Sequence, residues 1–113
     1  MQERVVLGLT ESILVGKLEV IARIDTGATS SSIDKALVDK LNLGPVITSK
    51  IIKSASGTKE RPVIKAVIQL KNIEIEDEFT VADRSHMTYP VLIGQPILKK
   101  GQFLIDPLKE VKK

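Results

Sequence analysis

The chain has 113 residues, a net charge of +3 and no cysteine. The lack of cysteine excludes a disulfide framework and a thiolate site. The basic residues are scattered and aromatic residues are few, whereas a nucleic-acid interface usually has a concentrated basic stripe with stacking aromatics. No apolar stretch has signal-peptide or membrane-span length. We therefore expect a single domain, residues 1–113, in a soluble, cytoplasmic protein without a membrane or nucleic-acid partner.

The first part of the chain predicts strands, because its apolar residues are mainly Ile, Val and Leu. Residues 4–9 form the first predicted strand. Residues 12–15 and 18–24 follow as a hairpin that turns at Gly16-Lys17, and the second of its strands ends directly at Asp25.

A short helix is the next predicted element. Ser31 and Asp34 have the spacing of a capping box, which would place the start of the helix at these residues. Gly44 and Pro45 follow in the order that ends a helix. Between these signals, apolar residues recur every four positions and form one stripe: Ile33, Leu37 and Leu41.

The rest of the chain predicts more strands. Residues 46–53 and 61–70 form a long hairpin around a small, mobile tip. After a turn at residues 71–72, we predict a strand at 73–81, a loop at 82–89, a short buried strand at 90–94, a single helical turn within 95–100 and a last strand at 102–105. The predicted fold class is all-β, a small closed barrel or sandwich with one short helix.

Asp25 is the leading catalytic candidate. It follows an apolar strand and opens a turn in which Gly27 lets the backbone fold back, so that N–H groups can reach the carboxylate. Thr26 adds a hydroxyl, and Ala28 is small enough for close packing. Asp, Thr and Gly are also ordinary turn residues, so the tripeptide alone does not separate a catalytic turn from a structural one.

A single aspartate cannot perform aspartic-protease chemistry. Two adjacent carboxylates must share a proton, so that one acts as a base on water while the other polarises the scissile carbonyl. Only Asp25 stands in an Asp-Thr-Gly setting. This chemistry therefore requires a second copy of the chain, in a two-fold homodimer that brings the two Asp25 residues together.

Three stretches resemble retropepsin-type aspartic proteases in order and spacing. Residues 18–31 resemble the catalytic loop and its preceding strand, residues 91–98 resemble the second apolar signature, and the hairpin tip falls where the family has its substrate-covering flap. The resemblance implies the retropepsin fold, peptide hydrolysis by Asp25 with Thr26 and Gly27, and no cofactor. It also implies a substrate-binding role for Ala28 and for the tip residues Ser54, Ala55, Ser56 and Gly57.

A closer resemblance is to a bacterial and archaeal group known as ATP-dependent zinc proteases, found beside RimK-type ligases of the ATP-grasp fold. The shared stretches are residues 24–28, 56–63, 83–87, 89–94 and 101–107. Gln95 stands where that group often has a basic residue. The sequence offers one histidine, no His-Glu-x-x-His helix and no phosphate loop, so we predict neither a metal site nor ATP binding.

Several alternatives stay open. Arg61 and Arg84 would recognise an acidic peptide if both face the cleft, and the link to glutamate-adding ligases makes a glutamate-rich substrate attractive; otherwise they are structural or solvated charges. The same fold could instead serve as a non-catalytic peptide-binding or dimerisation module. A nucleic-acid-associated factor is a third, weaker reading.

Overall fold

A computed structural model describes residues 3–55 and 57–109, with Ser54 described in its backbone only. This part of the chain forms nine strands and two short helices. In order they are β1 (Val6–Leu7), β2 (Thr10–Val15), β3 (Leu18–Ile24), β4 (Ser31–Asp34), α1 (Lys35–Leu41), β5 (Val46–Ser54), β6 (Gly57–Leu70), β7 (Ile73–Ala82), β8 (Val91–Ile93), α2 (Gln95–Lys100) and β9 (Leu104–Ile105).

Seven strands form one sheet in the order β2-β3-β8-β4-β7-β6-β5. A further antiparallel pairing of β2 with β6 joins Leu14 to Gln69 and Val15 to Ile68, so the sheet curls into a closed ring with β5 attached outside it. Strands β1 and β9 pair in parallel as a separate small sheet. The prediction of a small, closed all-β fold is confirmed.

The predicted hairpins are present because their turn residues suit the backbone. Gly16 has a φ of +61° between β2 and β3, where a side chain would be strained. Lys71 and Asn72 have φ values of 53° and 68°, which give the tight turn that connects β6 to β7. In the second half of β6, every other residue is buried, as expected of a strand with one face on the core.

The helix start differs from the prediction. Residues 31–34 form β4, and α1 begins only at Lys35, with no side-chain capping bond from Asp34. The capping-box prediction was wrong because both of its side chains bind elsewhere. Ser31 Oγ accepts the Gly94 N–H at 2.9 Å, and an Asp34 carboxylate oxygen accepts the Arg84 N–H at 2.9 Å. The helix ends at Leu41, three residues before Gly44, and its C-cap Asn42 takes the left-handed conformation.

The core fills the space enclosed by the sheet. Its members come from nearly every strand and both helices, and Ile13, Ile33, Phe79, Ile93 and Ile97 are almost fully buried. The segment predicted as a single helical turn is the second helix, α2, which packs Ile97 and Leu98 against this core. In the described part of the chain, neither helix has the length and apolar character needed to cross a membrane.

Candidate active site

The carboxylate of Asp25 is oriented by its own turn. The Asp25 N–H donates to the Ile93 carbonyl at 2.9 Å, which extends the β3–β8 ladder by one bond. The Gly27 N–H then donates to the Asp25 Oδ1 at 2.9 Å, and the Ala28 N–H donates to the Asp25 carbonyl at 3.2 Å. Asp25 is half-buried, whereas Thr26 and Gly27 are exposed. The turn therefore presents a fixed carboxylate at the molecular surface, as the sequence predicts.

The strand order explains why the turn stands where it does. Strand β8 lies between β3 and β4, parallel to the first and antiparallel to the second. The chain from Asp25 to Ser30 must therefore pass over the end of β8 to connect two strands that are not neighbours. This arch is the structural frame of the site.

Gly94, at the end of β8, fits closely beneath the arch. A Cβ added there would lie 2.6 Å from the Ser30 carbonyl oxygen and 2.9 Å from that of Ala28. Both distances are far below van der Waals contact, so only glycine fits without displacing the arch. The Gly94 N–H is bound in turn to the buried hydroxyl of Ser31.

Gln95 ties the second signature to the Asp25 turn by two hydrogen bonds. Its N–H donates to the Ala28 carbonyl at 2.9 Å, and its side-chain Nε2 donates to the Thr26 carbonyl at 2.8 Å. The amide at this position therefore holds the Asp25 turn directly. The sequence analysis did not predict three residues of this site: Ser31, Gly94 and Gln95. The available signal was the glycine that directly follows the apolar strand.

The predicted flap is a long hairpin of β5 and β6, paired as far as Ser54 and Gly57. Gly57 has a φ of +121°, a conformation that favours glycine, and Ala55 is exposed. Ser56 lies outside the described residues, and the Ser54 side chain is likewise not described. The hairpin is confirmed, and the role of its tip in binding substrate stays a prediction.

The structure brings Arg61 and Arg84 into one electrostatic neighbourhood. Arg61 lies half-buried on β6. Arg84 is only 9% exposed, and its Nε donates to the Tyr89 carbonyl at 3.0 Å. Burial lowers the pKa of Arg84; Asp34 opposes this shift, while the positive charges of Arg61 and Arg23 add to it. The hydrogen bond to the Tyr89 carbonyl therefore fixes one edge of the Arg84 guanidinium.

Arg23 is a further cation of this region that the sequence analysis did not single out. It lies on β3 two residues before Asp25, and its side chain is exposed. The available signal was a charged residue between the buried Ala22 and Ile24, in the strand that leads to the Asp25 turn.

No group of three or more His, Cys, Asp or Glu side chains is placed to hold a metal ion among residues 3–55 and 57–109. His86 is exposed in the loop before β8.

Comparison with known proteins identifies the relatives of this fold. Residues 40–113 match the RimB-like family, described as the retropepsin-like aspartic endopeptidase RimB. The matched stretch includes the hairpin of β5 and β6 and the Gly94 signature, and it begins after the Asp25 turn. No curated protein matches the sequence.

Three solved structures share the fold. A Legionella pneumophila protein of unknown function (DUF785) has a TM-score of 0.71 and 18% identity, over 96% of this chain and 98% of its own. EIAV protease, solved with the inhibitor HBY-793, has a TM-score of 0.71 and 22% identity, over 86% and 90%. Simian foamy virus (mac) protease has a TM-score of 0.64 and 18% identity, over 80% and 91%.

Proposed function

The chain belongs to the RimB-like family of retropepsin-like aspartic endopeptidases, and from this premise we propose that it is a homodimeric aspartic endopeptidase whose two Asp25 residues form the catalytic pair. The observation that carries the proposal is the fixed Asp25 carboxylate, which accepts the Gly27 N–H in a turn bound to Gln95 at two points. The protein would act on peptides in the cytoplasm, with Thr26 and Gly27 shaping the turn.

The mechanism follows from two carboxylates that share one proton. The ionised Asp25 removes a proton from a water molecule, whose oxygen attacks the scissile carbonyl carbon. The protonated Asp25 of the other subunit donates its proton to the developing oxyanion. When the tetrahedral intermediate collapses, the amide nitrogen takes the proton that the first Asp25 removed from water, and a hydroxyl of the intermediate returns a proton to the other Asp25. The C–N bond breaks, and the products are an amine and a carboxylic acid. The rate should depend on pH as the pair titrates together.

We further propose that the substrate is an acidic, glutamate-rich peptide. The support is a group of positive charges: Arg61 and Arg23 are both close enough to Arg84 to lower its pKa, and Arg23 stands two residues before Asp25. A cleft lined with one sign of charge attracts substrates of the opposite sign. The hairpin tip, from Ser54 to Gly57, and Ala28 would contact the peptide backbone.

The test is an Asp25→Asn variant, which keeps the shape of the side chain and removes its acid–base chemistry. We expect a loss of peptide cleavage of about a thousandfold or more, with dimerisation in sedimentation experiments unchanged. Asp39→Asn, at an exposed position of α1, is the matched control and should cleave normally.

A non-catalytic peptide-binding or dimerisation module predicts a different result. In that case the purified wild-type chain binds acidic peptides but cleaves none of them at any pH. Full activity in Asp25→Asn would equally rule out the catalytic assignment.

A further inference from the structure

One face of the sheet beside Asp25 carries a continuous row of residues from five strands. Arg23 pairs with Leu92, Leu92 with Ser32, Ser32 with Thr80, and Thr80 with Val63. Residues that are paired across neighbouring strands point to the same face of a sheet. We call this set, Arg23, Leu92, Ser32, Thr80 and Val63, the Arg23 row.

The row lies on the same side as the catalytic carboxylate. Ala22 and Ile24 point into the core, so Arg23 and Asp25 project from the opposite face. Asp34 stands two positions after Ser32, and Arg61 stands two positions before Val63. Both residues therefore lie on this face as well. The Arg23 row therefore begins beside Asp25 and continues towards the flap hairpin.

Several residues on this face are buried, although the face points away from the core. Ser32 is 7% exposed, Thr80 4% and Val63 4%, and Val63 is not a member of the main core cluster. The Ser32 hydroxyl is buried without a hydrogen-bond partner among the residues that the structure describes. A buried hydroxyl without a partner costs free energy, so a hydrogen-bonding group brought to it would stabilise this face.

This face also carries an excess of positive charge, which favours an anionic ligand. Around the row, three positive charges, from Arg23, Arg61 and Arg84, stand against the two carboxylates of Asp25 and Asp34. Arg84 is fixed by its bond to the Tyr89 carbonyl, and its N–H is bound to Asp34. Arg23, by contrast, is exposed and can reach a ligand. The face therefore combines an exposed guanidinium with a buried hydroxyl that has no partner among the described residues.

We propose that Arg23 and Ser32 form a specificity pocket that binds one carboxylate side chain of the substrate next to the scissile bond. The carboxylate accepts hydrogen bonds from the Arg23 guanidinium and the Ser32 hydroxyl. Arg84 is a positioning residue, which holds the loop behind the pocket. This inference rests on the proposed function and assigns its substrate selection to two residues outside the predicted set.

The experiment compares two quenched fluorescent peptides, one with six glutamates and one with glutamines at the same positions. The variants are Arg23→Met, Ser32→Ala and, as control, Lys17→Met in the exposed turn between β2 and β3, which removes the same charge far from the row. We expect Arg23→Met to lower kcat/KM for the glutamate peptide by about 10- to 100-fold, as for the loss of a charged hydrogen bond. Most of this loss should come from a higher KM.

Ser32→Ala should lower kcat/KM for the glutamate peptide by about fivefold, as for a neutral donor. The glutamine peptide should change less than about twofold in all three variants, and Lys17→Met should leave both peptides unchanged. Equal losses for the two peptides in Arg23→Met, or no loss in either, would overturn the proposal.

A binding measurement separates this inference from the proposed function. Fluorescence anisotropy of unquenched, labelled forms of the two peptides is recorded with Asp25→Asn and with Asp25→Asn/Arg23→Met. A preference for the glutamate peptide that disappears in the double variant supports the pocket. If the wild-type chain at the same time cleaves neither peptide, only the protease function is refuted. If the preference is absent, or persists in the double variant, the pocket is refuted while cleavage can still stand.

Discussion

At the scale of single residues, the site depends on close packing around Gly94, where there is no room for a side chain. The backbone of Gly94 lies directly beneath the carbonyls of Ala28 and Ser30, and its N–H is bound to Ser31. The next residue, Gln95, donates two hydrogen bonds to the Asp25 turn. The position of the Asp25 carboxylate is thus fixed by residues that come from the other end of the sequence.

We predict that Gly94→Ala destabilises the fold by about 3 kcal/mol, because the new methyl group would displace the backbone of the arch. Urea unfolding measures the change. Gly27→Ala is the matched control, because a Cβ there lies 3.4 Å from Asp25 Oδ1, an ordinary contact, and Gly27 does not have a positive φ. Equal stability of Gly94→Ala and the wild type would contradict the close packing of the arch.

At the scale of elements, the small β1–β9 sheet is fastened to the barrel by a buried charge. Glu11 on β2 is 1% exposed and accepts the Gly8 N–H at 2.7 Å and Lys109 Nζ at 2.9 Å. Lys71 Nζ lies 3.3 Å from its other oxygen, and Lys109 also donates to the Val6 carbonyl. One carboxylate therefore connects the first strands, the β6–β7 turn and the segment after β9.

Burial alone would raise the pKa of Glu11, but the hydrogen bonds from Lys109, Gly8 and Lys71 outweigh it and lower the pKa below the ordinary value of 4.5. The ionised form is therefore stabilised in the folded state. This contribution is fully present above pH 4.5 and is lost as the pH falls through the lowered value.

We accordingly predict that Glu11→Gln loses about 3 kcal/mol of unfolding free energy at neutral pH, because Lys109 and Lys71 keep their charges without the carboxylate. The difference from the wild type should shrink below pH 4.5. Chemical denaturation at several pH values measures it, with the exposed Glu19→Gln on β3 as control. A difference that does not change with pH would contradict the ionic role of Glu11.

The elements also show how far sequence reasoning reaches. The hairpins of β2–β3 and β6–β7 were predicted because alternation and turn residues are local signals. Strand β4 was missed because its pairing with β7 and β8 is not local, and its Ser31 and Asp34 imitate a capping box. The common face of Arg23 and Ser32 was not predicted, since it appears only when β8 is placed between their strands. The Asp25 turn was predicted because its residues are contiguous in sequence, and the catalytic role of Asp25 stays a prediction.

At the scale of the whole molecule, each chain supplies one Asp25 turn, and the proposed chemistry needs two. The turn is exposed at Thr26 and Gly27, so it remains accessible to a second subunit. Activity should then belong to pairs of chains rather than to single ones.

We predict that inactive Asp25→Asn chains suppress the activity of wild-type chains. In an equal mixture at constant total protein, random pairing should reduce cleavage to about a quarter of the wild-type value, because only that share of dimers has two intact aspartates. Independent chains would give about half. The rate of peptide cleavage, measured after the subunits have exchanged, distinguishes catalytic dimers from independent chains. A rate near half of the wild-type rate would contradict a catalytic dimer.

The place of β8 between β3 and β4 has a consequence for biosynthesis. Ser31 and Gly94, which meet beneath the arch, are 63 residues apart in sequence. A ribosome therefore exposes Asp25 long before it delivers the strand that supports the arch. Such distant pairings form slowly compared with local ones. A partly translated chain that ends before Gly94 therefore lacks the support of the arch, so the proposed hydrolysis would begin only after β8 and Gln95 have been synthesised.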